Sequence, residues 1–183
     1  GRSAQEQARS SLRQNLARLR KSLGDAKHVI LADAQKIELD PTCVETDTAK
    51  FEAILSAPNG PDLAEATDLI NGEFASGFYI NEDLYDEWLT NERRRISELA
   101  VTCLTRRLGE YEAKKDFDNA AVIACRLLAF DQLQEKVHQS LMRALADQGR
   151  YESALQQYKL CRDLLRKELG IDPGDNTRAL RED

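Results

Sequence analysis

Residues 149–174 read GRYESALQQYKLCRDLLRKELGIDPG, and this stretch decides the fold. It opens with a glycine, continues with apolar residues at helical spacing and ends in Gly-Ile-Asp-Pro-Gly. Glycine accepts the left-handed backbone of a tight turn, and a glycine followed by proline commonly ends a helix. No obvious catalytic group lies within it. The stretch therefore predicts a turn and one amphipathic helix, which needs a partner helix elsewhere in the chain.

The partner is found by aligning residues 138–162 with residues 104–128, an offset of 34 positions. Small alanines fall where two helices must approach closely, and aromatic side chains fill the turn between them. A 34-residue period with this pattern is typical of tetratricopeptide-type helix pairs. Lys115 stands where the first unit would be expected to have a turn glycine. The predicted repeat core comprises Leu108, Tyr111, Phe117, Ala120 and Leu127 in the first unit, and Met142, Leu145, Tyr151, Ala154 and Tyr158 in the second.

Two such units cannot cover both end faces of the stack, so further layers are expected. A helix running through Trp88 is predicted to supply the preceding layer, and the tail after Pro173 is predicted to form a capping helix. Trp88 is either a core anchor or an interface residue, and the core is favoured. The glycine-punctuated loop before this helix is predicted to bury three aromatic residues, namely Phe74, Phe78 and Tyr79.

The N-terminal residues 3–24 predict one amphipathic helix with a leucine stripe, and residues 28–39 predict a β-hairpin. Residues 1–28 hold seven basic and two acidic side chains, a charge of +5, whereas the whole chain carries −6. The rest of the chain is therefore at −11. A basic segment on an acidic body indicates an anionic partner such as a nucleic-acid backbone.

A basic helix followed by a small hairpin is the order of a recognition helix and its wing. Phosphate contacts supply most of the affinity for DNA, and bases are read near the start of such a helix. The alternative is a solvated helix face. The candidate DNA-binding residues are Arg9, Ser10, Arg13, Gln14, Arg18, Arg20 and Lys21, with Ser10 and Gln14 facing base edges.

Several function classes are not predicted. No apolar run is long enough to span a membrane, and the first residues lack the apolar core of a signal peptide, so a cytoplasmic location is expected. The four cysteines and two histidines do not cluster, so neither a metal nor another cofactor is expected. The sequence shows no nucleophile–base pair and no phosphate-binding glycine loop, and the chain is predicted not to be an enzyme.

Three stretches carry a family resemblance: EDLYDEWLTNERRRISEL at 82–99, the run from 130 to 180, and above all its end, RKELGIDPGDNTRAL at 166–180. They resemble the bacterial transcriptional activator domain, the helical module of antibiotic regulatory proteins of actinomycetes. Upstream, ARSSLRQNLARLRKSLG at 8–24 and VETDTAKFEAIL at 44–55 resemble the recognition helix and linker of the attached winged-helix domain.

The resemblance implies a mainly α fold with two parts: a partial winged-helix DNA-binding segment at 1–45 and a tetratricopeptide-like helical domain at 46–183. The winged helix of this family normally begins with a small sheet and two further helices, so the chain is expected to be a fragment. The intact protein would dock on promoter DNA, and the helical domain would contact itself, RNA polymerase or an adjacent effector domain. The alternative is a protein-interaction scaffold within a larger signalling ATPase or cyclase-like protein, without DNA binding.

Overall fold

The computed structural model describes residues 2–181, with side chains from residue 4 onward. Residue 1 and residues 182–183, the outer ends of the two predicted domains, lie outside the described residues. The chain is mainly α-helical with one antiparallel hairpin, as predicted, and it divides into two compact units, Gly1–Lys50 and Phe51–Asp183. The elements are α1 (Arg2–Ser22), a 3-10 segment (Gly24–Val29), β1 (Ile30–Ala32), β2 (Ile37–Leu39), α2 (Asp47–Leu55), α3 (Leu63–Asp68), α4 (Asp83–Lys114), α5 (Phe117–Phe130), α6 (Glu135–Asp147), α7 (Tyr151–Leu169) and α8 (Asp175–Ala179).

The first unit consists of α1 and the hairpin. Gly24 takes a left-handed conformation with φ of 56° just after α1 ends, as a helix-stopping glycine does. The strands pair antiparallel, with Ile30 opposite Leu39. Asp33 closes the hairpin turn, because its carboxylate accepts the backbone N–H groups of Gln35 and Lys36 at 2.7 and 2.9 Å. The hairpin is shorter than predicted, since residues 28 and 29 belong to the 3-10 segment.

The second unit is a stack of antiparallel helices in which α4 packs on α5, α5 on α6 and α6 on α7. One apolar cluster joins α4, α5 and α6 around Leu104, Ala124 and Leu127, each of which has no exposed surface. A second cluster joins α2 and α3 to the middle of α4 through Phe51, Ala66 and neighbouring residues. The helix pairs predicted from the 34-residue offset are thus α4 with α5 and α6 with α7.

The preceding layer differs from the prediction. The helix through Trp88 does not form a separate layer, because α4 runs unbroken for 32 residues and is itself the first helix of the first pair. No proline interrupts it, so nothing in the sequence stops the helix between the two predicted segments. The layer before α4 is supplied by α3, whose Leu63 and Ala66 are buried.

The C-terminal tail forms the predicted capping helix. Glu135, in the first turn of α6, accepts the backbone N–H of Gly174 at 2.7 Å and the hydroxyl of Thr177. Gln139 donates to the same hydroxyl at 2.8 Å, and Thr177 is completely buried. These polar contacts fix α8 against the start of α6.

Candidate functional site

The basic band of α1 is the candidate nucleic-acid interface. Its basic residues are Arg9, Arg13, Arg18, Arg20 and Lys21, and all of them except Arg20 are exposed. Within the part of the chain whose side chains are described, six of these candidates make no side-chain hydrogen bond or ion pair, and their polar groups face solvent. They are Arg9, Ser10, Arg13, Gln14, Arg18 and Lys21.

Arg20 differs from the other candidates, because it is half-buried and already engaged. Its guanidinium donates to the backbone carbonyl of Ile30 at 2.9 Å, which ties the end of α1 to β1. Ile30 is itself 4% exposed. Arg20 therefore helps to position the hairpin. The pattern of charges along the sequence could not predict this contact.

A groove of about 370 Å³ runs between α1 and the hairpin turn. Arg9, Leu12 and Arg13 line it on the helix side, and the turn with Asp33 lines it on the other. Hydrogen bonds from the Gln35 and Lys36 backbone amides lower the pKa of the Asp33 carboxyl, so it stays ionised. The groove therefore has positive charge from Arg9 and Arg13 on its helix side and the negative charge of Asp33 at the turn.

The interior of the helical pairs is the second region singled out by the sequence. Six of the ten predicted core residues are buried and three are half-buried. Tyr151 was predicted wrongly, since its side chain is 65% exposed. Its counterpart Phe117 packs against the first apolar cluster. Tyr151 has no such neighbour, because no described helix covers the start of α7. The capping helix α8 contacts the start of α6, which lies far from Tyr151.

A buried histidine links the two helices of the second pair. His138 is 1% exposed, and its ring nitrogens lie 2.9 Å from the Gln132 carbonyl and 2.6 Å from the Gln157 side-chain amide. A carbonyl can only accept, so we assign the proton to Nε2 and let Nδ1 accept from Gln157. Burial lowers the pKa of His138, although the hydrogen bond to Gln132 and the charge of Glu135 oppose that shift. The sequence predicted packing at this position but not the polar partner.

A groove of about 910 Å³ lies between α5 and α7. Leu141 and Leu145 of α6 contribute to its lining, together with the exposed Val122 and Leu160. Gln156 supplies a polar group on the α7 side. The groove combines apolar surface with hydrogen-bonding side chains, as a site for a peptide or helix requires.

The aromatic residues before and within α4 are more exposed than predicted. We call the exposed set Phe78, Tyr79, Leu84 and Trp88 the aromatic surface; their exposed fractions are 57, 76, 84 and 50%. The predictions that Phe78 and Tyr79 are buried and that Trp88 is a core anchor are therefore wrong. In this part of α4 it is Leu89, at 2%, that enters the interior, because Trp88 projects from a different face of the helix.

Possible metal ligands and thiols are dispersed among the described residues. Between residues 2 and 181, no three His, Cys, Asp or Glu residues are grouped so that they could hold a metal ion. Burial raises the pKa of the Cys103 thiol, and burial with the charge of Glu135 raises that of Cys161 to about 11. Cys43 and Cys125 are exposed and free. None of the helices in the same part of the chain is both long and apolar enough to cross a membrane.

Comparison with protein families gives a match to the helical unit. The family described as the bacterial transcriptional activator domain matches residues 47–183. No curated protein matches the chain. A solved structure, Mycobacterium tuberculosis EmbR in complex with a low affinity phosphopeptide, is similar over 96% of this chain and 49% of its own, with 22% identity and a TM-score of 0.51. At that identity the likeness shows the fold alone, and the chain spans about half the length of EmbR.

Proposed function

The chain belongs to the bacterial transcriptional activator domain family, a family of transcriptional regulators. From this premise we propose that the intact protein binds promoter DNA through α1 and that the helical pairs bind another protein. We assign residues 1–45 to a partial winged-helix segment and residues 46–183 to the helical domain. The family match beginning at residue 47 supports that division, as does the separation of the two compact units after Lys50.

The exposed basic band of α1, next to a hairpin, is the observation that carries DNA binding. Arg9, Arg13 and Arg18 have guanidinium groups that are unpaired among the described side chains, so these groups can bind phosphates without first breaking a contact seen there. Such contacts release counterions and give an affinity that falls steeply with salt. Ser10 lies in the first half of α1 and Gln14 just past its middle, and base edges are read mainly from the first part of a recognition helix.

The helical domain is suited to protein rather than DNA. Residues 46–183 contain 18 basic and 26 acidic side chains, a net charge of −8 that repels phosphate backbones. The groove between α5 and α7 offers apolar lining with polar groups beside it, and helical-repeat stacks present such surfaces to helices and peptides. We propose a second copy of the protein, RNA polymerase or an adjacent effector domain as the class of partner.

The test is fluorescence anisotropy of the whole protein that contains this chain, on DNA from upstream of its own gene cluster, across a salt series. We expect Arg13→Ala to weaken binding on all fragments and to reduce the salt slope by about one. Lys159→Ala, which removes an exposed positive charge from α7, is the matched control and should leave both unchanged.

Only weak, sequence-independent association, equally sensitive to both substitutions, would contradict DNA recognition by α1. A protein-interaction scaffold within a larger signalling protein would then be the better account.

A further inference from the structure

The aromatic surface is held in a defined shape by contacts beneath it. Trp88 packs edge-on against Phe74, with ring centroids 6.3 Å apart, and lies 5.4 Å from the ring of Tyr85. Leu84 precedes Trp88 by four residues and therefore shares its face of α4. The guanidinium of Arg93 lies over the ring of Tyr79 at 5.6 Å. Contacts through Phe74 and Arg93 thus connect the face of α4 that carries Leu84 and Trp88 with the loop that carries Tyr79.

Arg93 also fixes the loop that carries half of this surface. Its Nε donates to the carbonyl of Phe74 at 3.0 Å, and Nη2 donates to that of Ala75 at 2.9 Å. Ala75 has a left-handed backbone with φ of 48°, a conformation that these bonds help to maintain. A surface ordered before binding loses less conformational entropy when a partner docks.

Exposed aromatic residues of this kind are characteristic of protein interfaces. Tryptophan and tyrosine dominate the residues whose truncation costs most binding energy, and a contiguous exposed apolar patch on a protein usually marks an interaction site. Leu84, at 84% exposed, contributes nothing to the core. A polar side chain at this position would therefore leave the packing of the described residues unchanged.

The charge around the aromatic surface specifies the partner. From Asn71 to Glu92 the chain contains six carboxylates and no lysine or arginine, and two of the six pair with arginines of α4. Glu82, Asp83 and Glu87 are exposed, and none forms an ion pair with another described residue. The start of α4 contributes only about half a positive charge through its helix dipole, which cannot offset them.

We propose that the aromatic surface binds an amphipathic protein segment whose apolar side chains are flanked by arginine or lysine. The apolar side chains would cover Leu84 and Trp88, and the basic ones would pair with Glu82, Asp83 and Glu87. Two copies meeting through this same surface would bring like charges together, and nucleic acid would be repelled. The proposal is independent of DNA binding by α1, because it uses no residue of the first unit.

Trp88 gives a direct measurement, because it is the only tryptophan of the chain. The probe is a synthetic 20-residue helical peptide with leucines at positions i, i+4 and i+7 and arginines beside them. A second peptide replaces every arginine with glutamate, and a third scrambles the leucines. We expect the first peptide alone to shift Trp88 emission to shorter wavelength, with an affinity that falls as salt is raised.

Substitutions at exposed positions separate binding from folding. Leu84→Ser should weaken the arginine peptide about tenfold without changing the unfolding midpoint. Leu169→Ser, at a 52% exposed position of α7 outside the groove between α5 and α7, is the matched control and should leave binding intact. Glu87→Lys should weaken the arginine peptide about fivefold at low salt and improve binding of the glutamate peptide.

Three results would overturn the proposal. They are absence of an emission shift with the arginine peptide, equal binding of the arginine and glutamate peptides, and equal loss in Leu84→Ser and Leu169→Ser. The proposal would also be wrong if the chain dimerised and Leu84→Ser abolished the dimer, because the aromatic surface would then bind a second copy of the chain.

Discussion

The two helical pairs share one architecture and are held together by different chemistry. His138 of α6 accepts a hydrogen bond from Gln157 of α7, whereas the corresponding positions 34 residues earlier are Leu104 and Ile123, both in the apolar cluster. The turns differ as well, because Lys115 occupies the left-handed position that Gly149 occupies in the second pair. The comparison teaches that a repeat can conserve its geometry while exchanging apolar packing for a buried polar contact.

Of the substitutions that test this comparison, Leu104→Ala should lower the free energy of unfolding most. Leu104 has no exposed surface and lies in the largest apolar cluster, so its truncation leaves a cavity that costs about 3 kcal/mol of unfolding free energy. Urea denaturation followed by circular dichroism measures the loss. Leu155→Ala, at a 43% exposed position of α7, is the control. Similar losses in the two variants would mean that the first pair does not depend on its apolar interior.

Gln157→Leu should cost about 2 kcal/mol, because it leaves the buried Nδ1 of His138 without a donor. The double variant His138→Leu with Gln157→Ile reproduces the residues of the first pair and should recover most of that loss. Gln156→Leu, at an exposed neighbouring position, is the control. If the double variant were less stable than Gln157→Leu, the two pairs would not be interchangeable at this contact.

The polar contact also makes the second pair sensitive to pH. Burial lowers the pKa of His138 in the folded state, so below the ordinary value of 6.5 the unfolded chain binds more protons than the folded one. This contribution is fully present above pH 6.5 and is lost as pH falls, by at most about 1.4 kcal/mol per pH unit. Urea midpoints at pH 7.5 and 5.5 measure it.

The control for this pH dependence is the same double variant, in which the decrease should be absent. Glu135 is the charged group that faces His138, and its retention in both proteins keeps the comparison matched. An equal decrease in the two proteins would assign the effect to other groups.

Substitutions in the turns at Lys115 and Gly149 should change the stability least. Lys115 has φ of 55°, which strains a side-chain-bearing residue, so Lys115→Gly should stabilise the first pair by about 0.5 kcal/mol. Gly149→Ala should destabilise the second by about 1 kcal/mol through the backbone alone, since its Cβ would meet no atom within 4 Å. Thermal unfolding resolves both, and shifts of the same sign would refute the strain argument.

Sequence patterns predicted the elements better than their surroundings. The 34-residue offset found the helix pairs, and the order of a basic helix and two short apolar runs found the hairpin. Periodicity reports which face of a helix is apolar, but it does not report whether a neighbour covers that face. Tyr151 and Trp88 were therefore expected inside, and they are exposed because no described helix lies over them.

The candidate sites show the same limit at the level of single groups. Charge patterning identified the basic band of α1, yet it could not separate Arg20, which binds a carbonyl of β1, from arginines that face solvent. The partner of His138 depends on which α7 residue the helix crossing brings near. Such pairings are set by tertiary packing, for which spacing along the chain carries no signal.

The unbroken length of α4 has a mechanical consequence. At 1.5 Å per residue, its 32 residues form a rod about 48 Å long, with the aromatic surface near one end and the Lys115 turn at the other. Its middle packs on α3 and its C-terminal half packs on α5, so a tilt of the rod would move the first helical pair with it. A tilt of about 5° displaces one tip relative to the other by about 4 Å over that length. Force applied by a docked segment would thus reach the helical pairs through a single stiff element.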